Sequence, residues 1–407
     1  MELADGRYIV ISSDCHAGAP MLDYRDYLES RWHDEFDAWA AAYENPFNDL
    51  RSPEAYRNWD SSRRVQELED DGVVAEVLFP NTVPPFFPSG LLATHQPTSR
   101  DDYDHRFAGI QAHNRWLADF CAEAPGRRAG IAQVFLYDVD DAVEEVRRAR
   151  AANLFGGILL PGVAPDSGLP PLYADEYEPL WAVCEDLDMP INNHAGQAAP
   201  DFGRYKASTA VFIIELSWYS HRVFWHMLFG NVFSRHPNLK LALTEQSSGW
   251  VPSVLAMLDS QYQRFQKEGT AEFRIAGAVA AEMGMSPSDT WSRNCYLGSS
   301  FLRPAECELR YDIGVEKIMW GQDYPHTEGT YPYTLEALRN TFAGVPTEEV
   351  AAMLGGNAAE VYGFDVDALA PVAARVGPTV EEVDTPLDEV PADAYSVAFT
   401  GERPKPW

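Results

Sequence analysis

The chain has 407 residues, 46% of them hydrophobic, enough for one large α/β barrel or about two to three average domains. Its formal net charge of −31 argues against nucleic acid or an anionic membrane as partner and offers a polyanionic substrate no general attraction. The five cysteines, Cys15, Cys121, Cys184, Cys295 and Cys307, make no CxxC pair, so a reduced, cytoplasmic setting is expected rather than a disulfide framework or a zinc knuckle.

The first residues, Met1-Glu2-Leu3-Ala4-Asp5, are acidic and do not read as a secretory leader. Apolar or β-branched runs follow at 8–12, 73–79, 129–135, 157–160, 190–194, 240–244, 294–298 and 317–320. Helical patterns separate most of them, at 138–151, 177–186, 211–229, 250–266 and 334–342. In 138–151, Val143, Val146 and Ala149 share one face. The run 211–229 is the most apolar, but it contains Glu215, His221, Arg222 and His226. It reads as a buried helix and not as a membrane span.

Strands alternating with helices imply parallel βαβ units. Eight of them suggest a (β/α)8 TIM barrel, whose site lies at the C-terminal ends of the strands. An open doubly wound sheet gives similar local signals. The barrel is favoured because ligand-type residues end strands spread over the whole set.

The barrel is expected over residues 1–365, with two insertions. Residues 17–72 are rich in Trp, Tyr, Arg and Asp, and residues 80–105 contain Pro84, Pro85, Phe86, Phe87 and Pro88. Both emerge near the site face, as a lid, an apolar substrate wall or a dimer contact. Residues 366–407 carry repeated Pro, Glu and Asp and read as an extended arm over the barrel or a neighbouring subunit. A homo-oligomer is expected.

Four strand ends carry candidate ligands. Asp14 and His16 stand two residues apart, so an extended chain aims both to one side. His194 ends the run at 190–194. Glu245 follows the run at 240–244, on the side of Leu241 and Leu243. A carboxylate ending a buried strand is costly unless it is paired or holds a cation. Asp323 ends the last strand, and Pro325 turns the chain so that His326 swings back over the site. His221, within the apolar helix, is a further candidate, as is His113. Each also has a structural reading: a turn or helix-cap Asp, a salt-bridged Glu, a hydrogen-bonded core His. His33, His95, His105 and His236 read as surface or structural.

Asp14-x-His16 and His194 resemble the amidohydrolase-related family, in its decarboxylase-like branch. So do Val232-Phe233-Ser234-Arg235-His236-Pro237-Asn238-Leu239-Lys240, Gly321-Gln322-Asp323-Tyr324-Pro325-His326 and Gly356-Asn357-Ala358-Ala359. The resemblance covers about residues 8–364 and implies a TIM barrel with a divalent metal on Asp14, His16, His194 and Asp323. The chain departs from the family at Glu245, where members usually carry His, and at Asp14, where many carry His.

Thr244-Glu245-Gln246 and Ser220-His221-Arg222 resemble, within that family, the TIM-barrel non-haem diiron monooxygenases of platensimycin and platencin biosynthesis. That likeness implies two irons, with Glu245 and His221 as further ligands and His326 orienting or protonating. Mixed His and carboxylate sets suit iron with open positions for dioxygen. The implied activity is hydroxylation of a bulky, diterpenoid-like substrate in secondary metabolism, with a coenzyme A thioester as one form. Dioxygen and an electron donor of unknown identity are implied as partners. Arg63-Arg64 and Arg127-Arg128 are the candidate contacts for coenzyme A. The alternative is a mononuclear zinc or manganese hydrolase or decarboxylase of the parent family. A barrel that binds ligand without catalysis is a third reading.

Overall fold

A computed structural model describes residues 2–45, 49–88, 96–97 and 99–400. His95, residues 89–94 and 98 of the second insertion, and the end of the arm at 401–407 lie outside the described residues.

The strands are β1 (Ile11–Ala17), β2 (Ala75–Pro80), β3 (Arg128–Gly130), β4 (Ala132–Gln133), β5 (Ile158–Leu159), β6 (Ile191–His194), β7 (Leu241–Thr244), β8 (Cys295–Ser300) and β9 (Ile318–Gly321). Each pairs in parallel with its neighbour in sequence, except at Ile131, which separates β3 from β4. These two are halves of one stave. Ile131 N–H donates to the Leu78 carbonyl at 3.1 Å, and Ala132 N–H donates to Gly157 at 2.9 Å. The first stave also meets the last. Asp323 N–H donates to the Asp14 carbonyl and His16 N–H to the Tyr324 carbonyl, both at 2.7 Å. These bonds close the ring as a (β/α)8 TIM barrel.

Alternation sorts the side chains into two layers. Ile11, Val77, Phe79, Ile131, Leu159, Ala242, Tyr296 and Met319 fill the interior. Ile191, Leu241, Leu243, Cys295, Ile318 and Trp320 face the helices. The Gly356–Tyr362 segment plugs the interior, and Tyr362 Oη donates to Asn192 Oδ1 at 2.8 Å. At β2, Glu76 is clamped between Arg64 and Arg128, at 2.7 and 3.1 Å. Arg64 Nη1 also donates to the His16 carbonyl at 2.8 Å, which ties the helix Ser61–Asp70 to β1.

Three details differ from the sequence reading. First, β1 begins later and runs past Asp14 and His16, because its end pairs with β2 through a register shift between Ser12 and Cys15. Second, beyond Asp365 the chain forms the helices Val366–Val376 and Val380–Asp384 and a short 3-10 turn at Val397–Phe399. Third, the apolar helix runs Ser208–Phe229 and is buried only from about Ser220 onward. Its first turns stand clear of the body, with Ile214 81% and Trp218 55% exposed.

The seam between β1 and β9 is tight. A Cβ on Gly321 would lie 2.8 Å from Asp14 Cβ and 3.3 Å from Ser300 Oγ. Gly321→Ala should therefore destabilise the chain by about 1–3 kcal/mol, the range for an overpacked core. Denaturant unfolding measures this, and an unchanged midpoint would contradict the seam.

Candidate metal centre

Asp14, His16, His194 and Asp323 are all buried at the C-terminal rim of the barrel. His16 Nε2 lies 3.3 Å from Asp14 Oδ1 and 3.2 Å from Asp323 Oδ1. His194 Nε2 lies 3.5 Å from Asp14 Oδ1. Asp14 Oδ1, His16 Nε2, His194 Nε2 and Asp323 Oδ2 have no hydrogen-bond partner, a costly state for buried polar atoms.

The outer atoms of these groups are satisfied. His16 Nδ1 donates to the Pro80 carbonyl at 3.3 Å, and His194 Nδ1 to the Ala195 carbonyl at 3.2 Å. Ser300 Oγ donates to Asp14 Oδ2. Each imidazole thus keeps its Nε2 lone pair for the centre, the arrangement that orients metal-bound histidines. Donors about 2.1 Å from one cation lie about 3.0–3.4 Å apart, close to the spacing of Asp14, His16 and His194. Those three form one ligand-spaced group that fits a divalent cation, and Asp323 stands beside it in a second group shared with His16 and His326.

Electrostatics keep both carboxylates ionised. Burial raises the Asp14 pKa, but His16 and His194 outweigh it and hold the carboxyl well below the usual range. Burial raises Asp323 too, and His326 pulls it below the usual carboxylate value. Burial and His326 lower the His16 pKa, and Asp14 and Asp323 more than offset them. Asp323 also has a left-handed backbone, φ 61°, a strain that non-glycine residues keep mainly at functional sites.

His326 packs over the His16 ring, with centroids 4.2 Å apart. Its Nδ1 donates to Asp323 Oδ1 at 2.9 Å, and its Nε2 faces Asn81 Oδ1 at 3.2 Å. A chain of amides sets the direction of the second bond. Asn58 Nδ2 donates to the Ala55 carbonyl at 3.0 Å, so Asn58 offers its Oδ1. Asn81 Nδ2 donates to that oxygen at 2.6 Å, so Asn81 in turn offers its own Oδ1 to His326. Both ring nitrogens of His326 are therefore donors. Burial lowers the His326 pKa, and Asp323 overrides that and lifts it to about 10. The first insertion reaches the site through Asn58.

Strand alternation assigns Glu245 to the helix-facing side with Leu241 and Leu243. A left-handed backbone at Glu245, φ 56°, breaks that alternation. Its Oε2 comes to 3.5 Å from His194 Nδ1. Glu245 also gathers with Asp323 and the exposed Glu328. Burial, with Asp323 and Asp14 nearby, pushes its carboxyl up to about 8 against the pull of His194.

His221 is engaged elsewhere. Its Nε2 donates to the Gln246 carbonyl at 3.1 Å, and its ring stacks on Trp250 at 3.9 Å. Burial lowers its pKa to about 4. It is in none of the ligand-type groups found among the described residues. His113 is buried on Tyr24 Oη at 2.9 Å. The arginine pairs suggested for coenzyme A have other partners. Arg64 and Arg128 are buried on Glu76. Arg127 pairs with Glu69, and Arg63 covers the Tyr56 ring.

Sequence reading missed Ser300, Asn81, Asn58 and Glu328. Ser300 and Asn81 end or follow strands at the same rim, and that position was the available signal. Asn58 and Glu328 carried none, because loop folding alone brings them in.

The chain belongs to the amidohydrolase family, whose model matches residues 14–364. It is 29% identical over 227 residues to the γ-resorcylate decarboxylase of Rhodococcus jostii strain RHA1. That match covers 52% of this chain and 64% of the relative, so the chain aligns with less than two thirds of that enzyme. In fold it is similar to the 5-carboxyvanillate decarboxylase of Sphingomonas paucimobilis. The TM-score is 0.63 at 19% identity, covering 88% of this chain and 100% of that one. The dihydroxybenzoic acid decarboxylase of Polaromonas sp. JS666, solved with manganese and the inhibitor 2-nitroresorcinol, gives a TM-score of 0.58 at 16% identity. It covers 88% and 97% of the two chains.

These relatives overturn the monooxygenase reading. The named proteins are decarboxylases, and the metal named in one of them is manganese. Nothing in the comparisons supports an iron pair, an oxidoreductase or the likeness to the platensimycin and platencin enzymes. The physical reason is local. Thr244-Glu245-Gln246 and Ser220-His221-Arg222 suggested a second metal, but His221 hydrogen bonds to the Gln246 backbone.

The amide chain behind His326 can be tested. Asn58→Leu and Asn81→Leu should each destabilise the chain by about 1–2 kcal/mol through stranded polar partners. In a double-mutant cycle the pair should cost less than the two changes added together. Strict additivity in unfolding experiments would show that the two amides act separately.

Proposed function

We propose that the protein is a divalent-metal-dependent decarboxylase acting on a small hydroxylated aromatic carboxylate. The observation that carries this is the cluster of partnerless buried donor atoms from Asp14, His16 and His194, with Asp323 on the far side of His16, beside the raised Glu245 carboxyl. The named activities of the relatives supply the substrate class.

The metal would be held by Asp14, His16, His194 and Asp323, and manganese or zinc suits that set. When bound, a divalent cation supplies positive charge that orients the substrate oxygens and steadies the electron density left as carbon dioxide departs. Glu245 serves in this reading as a general acid and not as a ligand. Its carboxyl, raised to about 8, carries a proton at neutral pH. The breaking carbon–carbon bond leaves its electron pair on the ring carbon, and Glu245 delivers its proton there. The Glu245 carboxylate then regains a proton from water. His326 stays cationic between Asp323 and Asn81 and offsets negative charge at the rim.

The named activities of the relatives favour decarboxylation over hydrolysis.

The test is carbon dioxide release from a panel of dihydroxybenzoates. Chelation should abolish it and added manganese should restore it. Glu245→Gln should lower kcat by about 10²- to 10⁴-fold, the usual worth of a general acid, with metal content retained. Because the acid must hold its proton, activity should fall as pH rises through about 8. A Glu245→Gln enzyme with wild-type turnover would overturn the assignment.

A further inference from the structure

One buried polar atom without a hydrogen-bond partner sits on the inner wall of the barrel, away from the candidate centre: the amide Nε2 of Gln133. Alternation along its stave settles which way the side chain points. Ala129 and Ile131 pack in the barrel interior, and Ala132 and Val134 pack against the helices. Gln133 therefore faces inward with Ile131. Its backbone is pinned. Asn114 Nδ2 donates to the Gln133 carbonyl at 3.0 Å, and Gln133 N–H donates to Asn114 Oδ1 at 2.9 Å. The buried side chain thus has a fixed base and an idle donor, a costly state unless a ligand completes it.

Its height in the barrel is that of the site. Val77 pairs with Ala129, so the same register carried two residues on sets Phe79 beside Ile131. Gln133 lies one layer nearer the C-terminal rim. Phe79 is the aromatic neighbour of the centre, edge-on to His194 with centroids 4.8 Å apart and 5.8 Å from His16. Ring order puts the stave of Gln133 between β2 and β5, whereas Asp14, His16, His194, Glu245, Ser300 and Asp323 come from the ends of β1, β6, β7, β8 and β9. Gln133 therefore faces the centre across the barrel mouth, with the Phe79 ring on the floor between them.

We propose that Gln133 is a specificity-determining residue that donates a hydrogen bond to a ring hydroxyl of the substrate, on the side remote from Asp14, His16 and His194. The inference rests on the reading of the site as one for hydroxylated aromatic carboxylates, and it narrows that class to substrates with a second hydroxyl. In this arrangement a flat ring anchored at the centre lies over Phe79 and brings its far hydroxyl to the amide. A substrate without that hydroxyl leaves the donor stranded. A site built to bond a hydroxyl discriminates against the analogue that lacks it.

Calorimetric binding of two analogues with no carboxylate to lose, 2-nitroresorcinol and 2-nitrophenol, tests this on the manganese-loaded chain. The wild type should bind the dihydroxy analogue about tenfold or more tightly. Gln133→Met keeps the length of the side chain and removes the amide. Its preference should fall to within about threefold, with manganese content unchanged. Because the Nε2 donor has no partner within the protein, Gln133→Met should unfold at the wild-type denaturant midpoint or above it, which a structural amide would not allow. Three results would overturn the inference: a lowered midpoint, a preference that survives in Gln133→Met, or a wild type that binds both analogues equally or neither. Failure to release carbon dioxide from any dihydroxybenzoate would instead remove the decarboxylase reading and leave the binding and unfolding results unaffected.

Discussion

Two backbone hydrogen bonds, from Asp323 to Asp14 and from His16 to Tyr324, both 2.7 Å long, close the barrel and form its site in the same stroke. They join the first stave to the last. They also bring Asp14 and His16 from one end of the chain and Asp323 from the other onto one rim, where His194 at the end of β6 joins them. Ser12 reinforces the seam, because its hydroxyl donates to the Asp14 carbonyl at 2.7 Å and accepts from Gln322 N–H at 2.8 Å. Gly321 allows the close approach.

Such a cluster is expensive by itself. Buried carboxylates with free oxygens, beside imidazoles with free nitrogens, are a loss that folding alone does not recover. The surrounding bonds nonetheless fix every outer atom and leave the inner ones bare. That pattern suits a centre that a cation completes. The left-handed residues Glu245 and Asp323 belong to the same account. At both, local backbone strain re-aims a carboxylate toward the mouth.

Most of the barrel was legible because strand and helix periods are strong local signals. The ends of β6 and β9 could be read because each short strand-like run finishes on a ligand-type residue, at His194 and just after Gly321 at Asp323. Glu245 was found for an incomplete reason. Alternation alone points it at the helices, and the backbone turn that redirects it has no signature in Thr-Glu-Gln. The expected second metal came from a local likeness around His221, and tertiary packing on Trp250 and Gln246 uses that imidazole instead. The helix Ser208–Phe229 read as buried because its composition is that of a core helix. Its first turns are exposed all the same, because the rest of the chain packs only against the part from Ser220 onward.

The central claim is that Asp14, His16, His194 and Asp323 share one cation. Metal titration of the chelated chain, read by calorimetry with elemental analysis of the product, tests it most directly. The account predicts one divalent ion per chain, with tight binding abolished in His194→Ala and Asp323→Ala chains that remain folded. Two tightly bound irons per chain, or full metal binding in either variant, would contradict it.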